Sequence, residues 1–247
     1  KELRNSNISH LTSLPFSSQL FLYEQYADGL VFYSSMDQNH FGDIYPIKNP
    51  IPSCVIPPSL GSKEDIKIDF SHFSPNNNIG FNGSPSFSNG IYHLFNSLIS
   101  PSKYNVNIFG SHGRNDIANE MLINHITETS SHIKFRGRLK DSTSFFKENH
   151  IYYNISLYDS FNYFTFTSLL NGMVPILSHS SSTAGYLPSY PFTSDIDENS
   201  INNTLEKISS TPIKELKDIL LTTVLSLKHL NNKDLKKEYY NFLNFIT

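Results

Sequence analysis

A single cysteine, Cys54, rules out an intrachain disulfide framework. Set beside Val55 and Ile56, it is expected to be a small buried hydrophobe rather than a nucleophile. Blocks of basic residues are also missing: 19 Lys and Arg stand against 22 Asp and Glu, for a net charge of −3. The chain therefore lacks the electrostatic footprint of a protein that binds duplex nucleic acid or anionic lipid, and no nucleic-acid partner is expected. No apolar run reaches the roughly 18 residues that a membrane span needs, and no basic-then-apolar leader opens the chain. A soluble, cytoplasmic protein without a transmembrane segment is the expectation. No G-x-G-x-x-G follows the first strand of the main repeating pattern, which argues against a nicotinamide oxidoreductase. No pair of histidines has metal-ligand spacing, so no metal site is expected.

What is present is a 247-residue chain, 38% hydrophobic, long enough for one large domain or two ordinary ones. From about Ile66 onward, short β-type runs alternate with longer helical ones. Strands are expected at 78–82, 104–110, 132–137, 150–156 and 173–179. Helices are expected near 89–100, 115–129, 142–149, 162–171, 198–209 and 213–229. This alternation predicts an α/β, Rossmann-like, doubly wound parallel sheet. The first sixty residues read as a helix to about Ala27, a strand "GLVFYS", a short helix near 37–44 and a strand "SCVIP". That is too little for an independent domain and fits a remnant of a second Rossmann-like domain. The expected division is 1–60 for this remnant and its linker, 61–229 for the main domain, and 230–247 for a C-terminal helix packing back on the protein. The chain begins with Lys1 rather than Met, as a fragment or processed product would.

In doubly wound folds the ligand lies beyond the carboxyl ends of the strands. The stretch "NNNIGFNGSPSFSNGIYHLFNSL" there joins a strand, a turn and a helix start, an arrangement whose free backbone N–H groups and helix dipole suit an anion. Gly83 and Gly90 frame the turn, yet it holds no Lys or Arg. Cations follow later strands instead: Arg114 in "GSHGRND", then Arg138 and Lys140 in "FRGRLKD". His112 and His179 also fall in loops at the carboxyl ends. The helix opening near "DSFNYF" can offer the backbone amides of Phe161, Asn162 and Tyr163 to a phosphate; Asp159 can serve as a hydrogen-bonding carboxylate and as a helix N-cap, two compatible roles.

The order of these pieces resembles the retaining, nucleotide-sugar-dependent glycosyltransferases of the two-Rossmann GT-B fold, particularly glycosyltransferase family 4. "ADGLVFYSS" and "SCVIPPSLG" are similar to the segments closing that family's acceptor domain. "GSPSFSNG", "VNIFG", "IKFRG", "YDSFNYFTFTSLLNG" and "MVPIL" follow the order of its donor domain. The family's turn carries an Arg and a Lys that hold the donor diphosphate; their positions fall on Ser84 and Asn89. Its E-x7-E pair falls on Asp159 and Thr167, so one acid is kept in shortened form and the other becomes a single hydroxyl. The glycine-to-proline turn at Gly172 carries one extra residue before Pro175.

The resemblance implies transfer of a sugar from a nucleotide-diphosphate sugar to a glycan or protein acceptor, with the donor as substrate and neither metal nor cofactor. Asp159 would act on the donor sugar. Gly83, Ser84, Asn89, Arg114, Arg138, Lys140, Ser160, Phe161, Asn162, Tyr163 and Thr167 would bind the donor. A partner subunit or further acceptor domain would supply the other half. The altered signature residues equally fit a catalytically inactive relative, acting as a partner subunit or glycan-binding scaffold.

Overall fold

The computed structural model describes residues 27–44, 51–57, 67–83, 90–98, 103–110, 121, 123–126, 128, 130–156, 162–179, 181–227, 230 and 235–246. It divides into two compact units, one of Lys1–Pro58 with Asp234–Thr247 and one of Ser59–Lys233.

In the first unit, strand β1 (Leu30–Phe32) pairs in parallel with β2 (Ser53–Val55), Val31 opposite Cys54. Helix α1 (Ser35–Ile44) joins them and begins where Ser34 Oγ accepts from the Asp37 amide at 3.0 Å. Strand "GLVFYS" is thus shorter than expected and the following helix starts earlier. The second strand stops before Pro57, which has no N–H to give to a ladder. Cys54 is half-buried rather than fully buried. Partial burial and the Glu238 carboxylate raise its thiol pKa, which weakens it as a nucleophile. The C-terminal helix Leu235–Ile246 belongs to this unit. Burial raises the Tyr239 hydroxyl in the same way, with Tyr33 and Cys54 adding to the effect.

The second unit is one six-stranded sheet. Its strands are β3 (Asn78–Asn82), β4 (Asn105–Phe109), β5 (Ile133–Gly137), β6 (Ile151–Asn154), β7 (Val174–Ser178) and β8 (Thr193–Ser194). The spatial order is β5-β4-β3-β6-β7-β8 and every pairing is parallel. Counted within the sheet this is 3-2-1-4-5-6, a doubly wound Rossmann order; the sequence predicts the doubly wound parallel sheet, not the order of its strands. β6 and β7 are buried throughout, as a sheet covered on both faces requires. The helices are α2 (Ile91–Ser97), α3 (Ser142–Glu148), α4 (Tyr163–Leu170), the short α5 (Ser182–Gly185), α6 (Glu198–Ser210) and α7 (Ile213–Ser226). Further helical residues lie at 121 and 123–126. Two-residue β8, α5 and a 3-10 turn at Phe70–His72 go beyond the sequence reading, because none is long enough to show a period.

Alternation along the strands builds two clusters. Ile79, Phe81, Ile151 and Tyr153 join Ile91, Leu94 and Phe95 of α2 in the larger one. Tyr152 joins Phe145, Phe146 and Phe109, with Phe164 against them, in a smaller aromatic one. Gly80 is the strand residue that lets this second cluster close: a Cβ there would lie 2.5 Å from Phe145 Cζ. Helix starts are capped by side chains, as the sequence chemistry favours. Asp141 accepts from the Thr143 and Ser144 amides at 3.0 and 3.2 Å, bonds that hold its carboxyl below its usual range. Asp197 caps α6 through the Ser200 amide at 2.9 Å.

Candidate functional site

The order of the strands reverses between β3 and β6, so the crevice beyond their carboxyl ends is the topological switch point. Ile79 pairs with Ile151 and Gly80 with Tyr152. Beyond these pairs β3 runs on to Asn82 and β6 to Asn154. From these two ends leave the 83–90 turn and the 155–162 loop.

Gly90 ties the two together. It stands at φ +64°, a left-handed conformation that favours glycine, and forms the N-cap of α2. A Cβ there would lie 2.5 Å from the Ile155 carbonyl oxygen. The Tyr153 hydroxyl donates to the Gly90 carbonyl at 2.8 Å; burial raises that hydroxyl's pKa, so it remains a proton donor. At the other end of the turn, the Gly83 amide donates to the Phe109 carbonyl at 2.9 Å. That N–H is committed to joining β3 and β4, and Gly83 shapes the turn.

The amino end of α4 is held by neutral side chains. Asn162 is the N-cap: its Oδ1 accepts from the Phe164 and Thr165 amides at 3.0 and 3.2 Å. The capping role considered for Asp159 therefore belongs to Asn162. Asn162 Nδ2 donates to Asn154 Oδ1 at 3.1 Å, and Asn154 Nδ2 donates to Thr165 Oγ1 at 2.8 Å. The Asn162 amide donates to Thr183 Oγ1 at 3.2 Å, linking this loop to the start of α5. Asn154, Thr165 and Thr183 are all buried. They were not singled out by the sequence reading; the one signal is an Asn closing the otherwise apolar strand "IYYN", eight residues before the Asn that caps the next helix.

The remaining candidates are distributed as follows. Tyr163 opens α4 and is 52% exposed. Thr167 is exposed one turn along, with its hydroxyl donating to the Tyr163 carbonyl at 3.0 Å. His179 is exposed beyond β7, its amide donating to the Ser194 carbonyl at 3.1 Å. Arg138 and Lys140 are exposed beyond β5, the edge strand, two strands away from β3. Arg136 pairs with Glu148 at 3.0 Å. Ser84, Asn89, His112, Arg114, Asp159, Ser160 and Phe161 lie outside the described residues. Among the described residues no three His, Cys, Asp or Glu side chains gather as metal ligands would.

No protein-family profile matches the sequence. No curated protein sequence matches it either. Solved structures do match the fold. The UDP-forming α,α-trehalose-phosphate synthase of Burkholderia xenovorans superposes with a TM-score of 0.72 at 14% identity, over 96% of this chain and 66% of that one. Sucrose-phosphate synthase of Thermosynechococcus elongatus gives 0.70 at 12%, over 100% and 64%. Anabaena HepE, in complex with UDP and glucose, gives 0.73 at 13%, over 98% and 68%. These neighbours are glycosyltransferases of the GT-B architecture, and at this identity what the chain shares with them is the fold. It spans about two thirds of their length.

Proposed function

We propose that this chain is the donor-binding part of a retaining glycosyltransferase, most similar in its motif order to family 4. It would transfer a sugar from a nucleotide-diphosphate sugar to a glycan or protein acceptor, with the acceptor half completed by further chain or a partner subunit. The observation that carries this reading is the contact, at the switch point, between Gly90 and the Tyr153–Ile155 stretch, the described ends of the two segments on which the motif resemblance falls. Likeness in fold to glycosyltransferases supports it.

The chemistry asked of such a site is modest. A departing nucleoside diphosphate gains negative charge, and donors aimed at it lower the barrier. The Gly83 and Asn162 amides are already engaged, and in this reading that task belongs to the Phe161 amide, Ser84, Asn89 and Arg114. Asp159 would orient the donor sugar by accepting from its hydroxyls. Losing a charged group from such a site typically costs about a hundredfold to a thousandfold in rate, so slow turnover is expected.

Calorimetric titration with a panel of nucleoside diphosphates and their sugars, paired with a donor-consumption assay, tests the proposal. The expected result is binding of at least one nucleotide, with Asp159→Asn keeping that binding and losing turnover. Chelation with EDTA should leave turnover unchanged, since the family resemblance calls for no metal. Absence of binding across the panel overturns the reading. The engaged Thr167 hydroxyl, standing where the resemblance puts a carboxylate, favours a second reading: a non-catalytic glycan-binding partner. A wild-type chain that binds a glycan tightly and consumes no donor would support it.

A further inference from the structure

A cavity lies away from the switch point. It has a volume of about 560 Å³ and opens between the 186–191 segment and helix α7. Tyr186, Pro188 and Pro191 line one side, Ile219 the other, and Glu215 and Asp218 belong to the same lining. The Tyr190 hydroxyl donates to the carbonyl of Pro175, second residue of β7, at 2.7 Å, which fixes the segment against the amino-terminal part of that strand. This cavity is therefore built at the opposite end of β7 from the candidate site.

Its size falls within the range of small-molecule pockets, and its lining is mainly apolar, so an apolar body fits it. The charge is one-sided: two carboxylates and no Lys, Arg or His line it. Two neighbouring cations have partners of their own, and exposed Lys214, one turn before Asp218, does not line the cavity. Lys207 Nζ donates to the Pro191 carbonyl at 2.9 Å and lies over the Phe192 ring. Lys217 lies over the rings of Phe70 and Phe73, 5.3 and 5.0 Å from their centroids. Glu215 in the first turn of α7 also suits the helix dipole, but that accounts for neither the cavity nor Asp218. An anion would meet repulsion here, whereas an ammonium group would meet two carboxylates. We propose that this cavity binds a small organic cation, an amine carried on an apolar body.

The test uses the intact chain and three probes of one shape, 4-phenylbutylamine, 4-phenylbutan-1-ol and 4-phenylbutyrate, titrated by NMR or calorimetry. The amine should bind at least tenfold more tightly than the alcohol, and the carboxylate more weakly than either. The double variant Glu215→Gln/Asp218→Asn should weaken amine binding about tenfold and leave alcohol binding unchanged, with thermal melting confirming that the exposed, isosteric changes leave the fold intact. Equal binding of amine and alcohol, an unchanged amine affinity in the double variant, or no binding of the amine would each overturn the proposal. None of these outcomes bears on nucleotide binding at the switch point.

Discussion

At the amino ends of the central strands, polar side chains serve the strands themselves. Asn78 donates to the Glu148 carbonyl and Asn107 to Asn149, each at 2.8 Å, while Asn149 donates back to the Phe145 carbonyl. Buried His150 follows, packed edge-on against Phe73 with ring centroids 5.1 Å apart. At the carboxyl ends, Asn154, Asn162, Thr165 and Thr183 bond across loops and fix where α4 begins. One end spends its polar groups on holding the sheet together; the other spends them on placing a loop mouth. Changes at the first should therefore unfold the protein without altering the ligand affinity of what remains folded. Changes at the second should do the reverse.

The largest effect is expected from Phe145→Ala. This ring is fully buried and lies edge-on to Phe109, Tyr152 and Phe164 at centroid distances of 5.2, 6.1 and 5.1 Å. Truncating such a residue costs about 3–5 kcal/mol, measurable by urea denaturation. Because a Cβ on residue 80 would strike the same ring, Gly80→Ala should be destabilising alone and much less so in combination with Phe145→Ala. Additive effects of the two substitutions would break the account of this contact.

Next is a pH effect. Burial lowers the pKa of His150 from 6.5 to about 4, and its Nδ1 has no hydrogen-bond partner among the described residues. Between those values the unfolded chain binds a proton that the folded one refuses, so stability is complete above pH 6.5 and falls as the pH drops toward 4. At about 1.4 kcal/mol per pH unit, the loss is about 3 kcal/mol. His150→Phe should remove that slope from denaturation curves taken at pH 7.5, 5.5 and 4.5. An unchanged slope would assign the acid sensitivity to other groups.

At the carboxyl end, Asn162→Ala removes the cap of α4 and the hydrogen bond that Asn162 donates to Asn154 Oδ1. A lost N-cap costs about 1 kcal/mol, less than either change above. Its effect on nucleotide binding should be the larger one, at least tenfold by calorimetry, because the loop carrying Asp159 ends on that cap. A fall in stability with unchanged binding would place the ligand elsewhere.

Much of the sheet was legible in the sequence because parallel strands and their helices carry strong periods. The runs "NIGFN", "IKFRG" and "VPILS" each gave a strand where expected. The cap of α4 was not legible from composition, because Asp159 and Asn162 are equally good caps by residue type and only the three-dimensional helix start singles out Asn162. The Asn154 network was illegible for a different reason: its members share no motif, and only the fold turns separations of 8, 11 and 21 residues into contacts. The same holds for the carboxylate-rimmed cavity.

The smallest expected effect concerns Arg138 and Lys140, which sequence position alone makes candidate diphosphate ligands. They follow the edge strand, with β4 between that strand and β3. Two strand spacings amount to about 10 Å. At that distance through water, one charge pair contributes about 0.4 kcal/mol, and physiological salt screens over a length of about 8 Å, reducing it further. Arg138→Ala/Lys140→Ala should therefore weaken nucleoside-diphosphate binding by no more than about threefold, with a melting temperature close to wild type, as exposed substitutions allow. A loss of tenfold or more would mean that one of these long side chains reaches across β4 to the crevice. The site would then have exchanged the cations of its first turn for cations two strands away, and the contrast drawn between a neutral loop mouth and a solvated edge would fall.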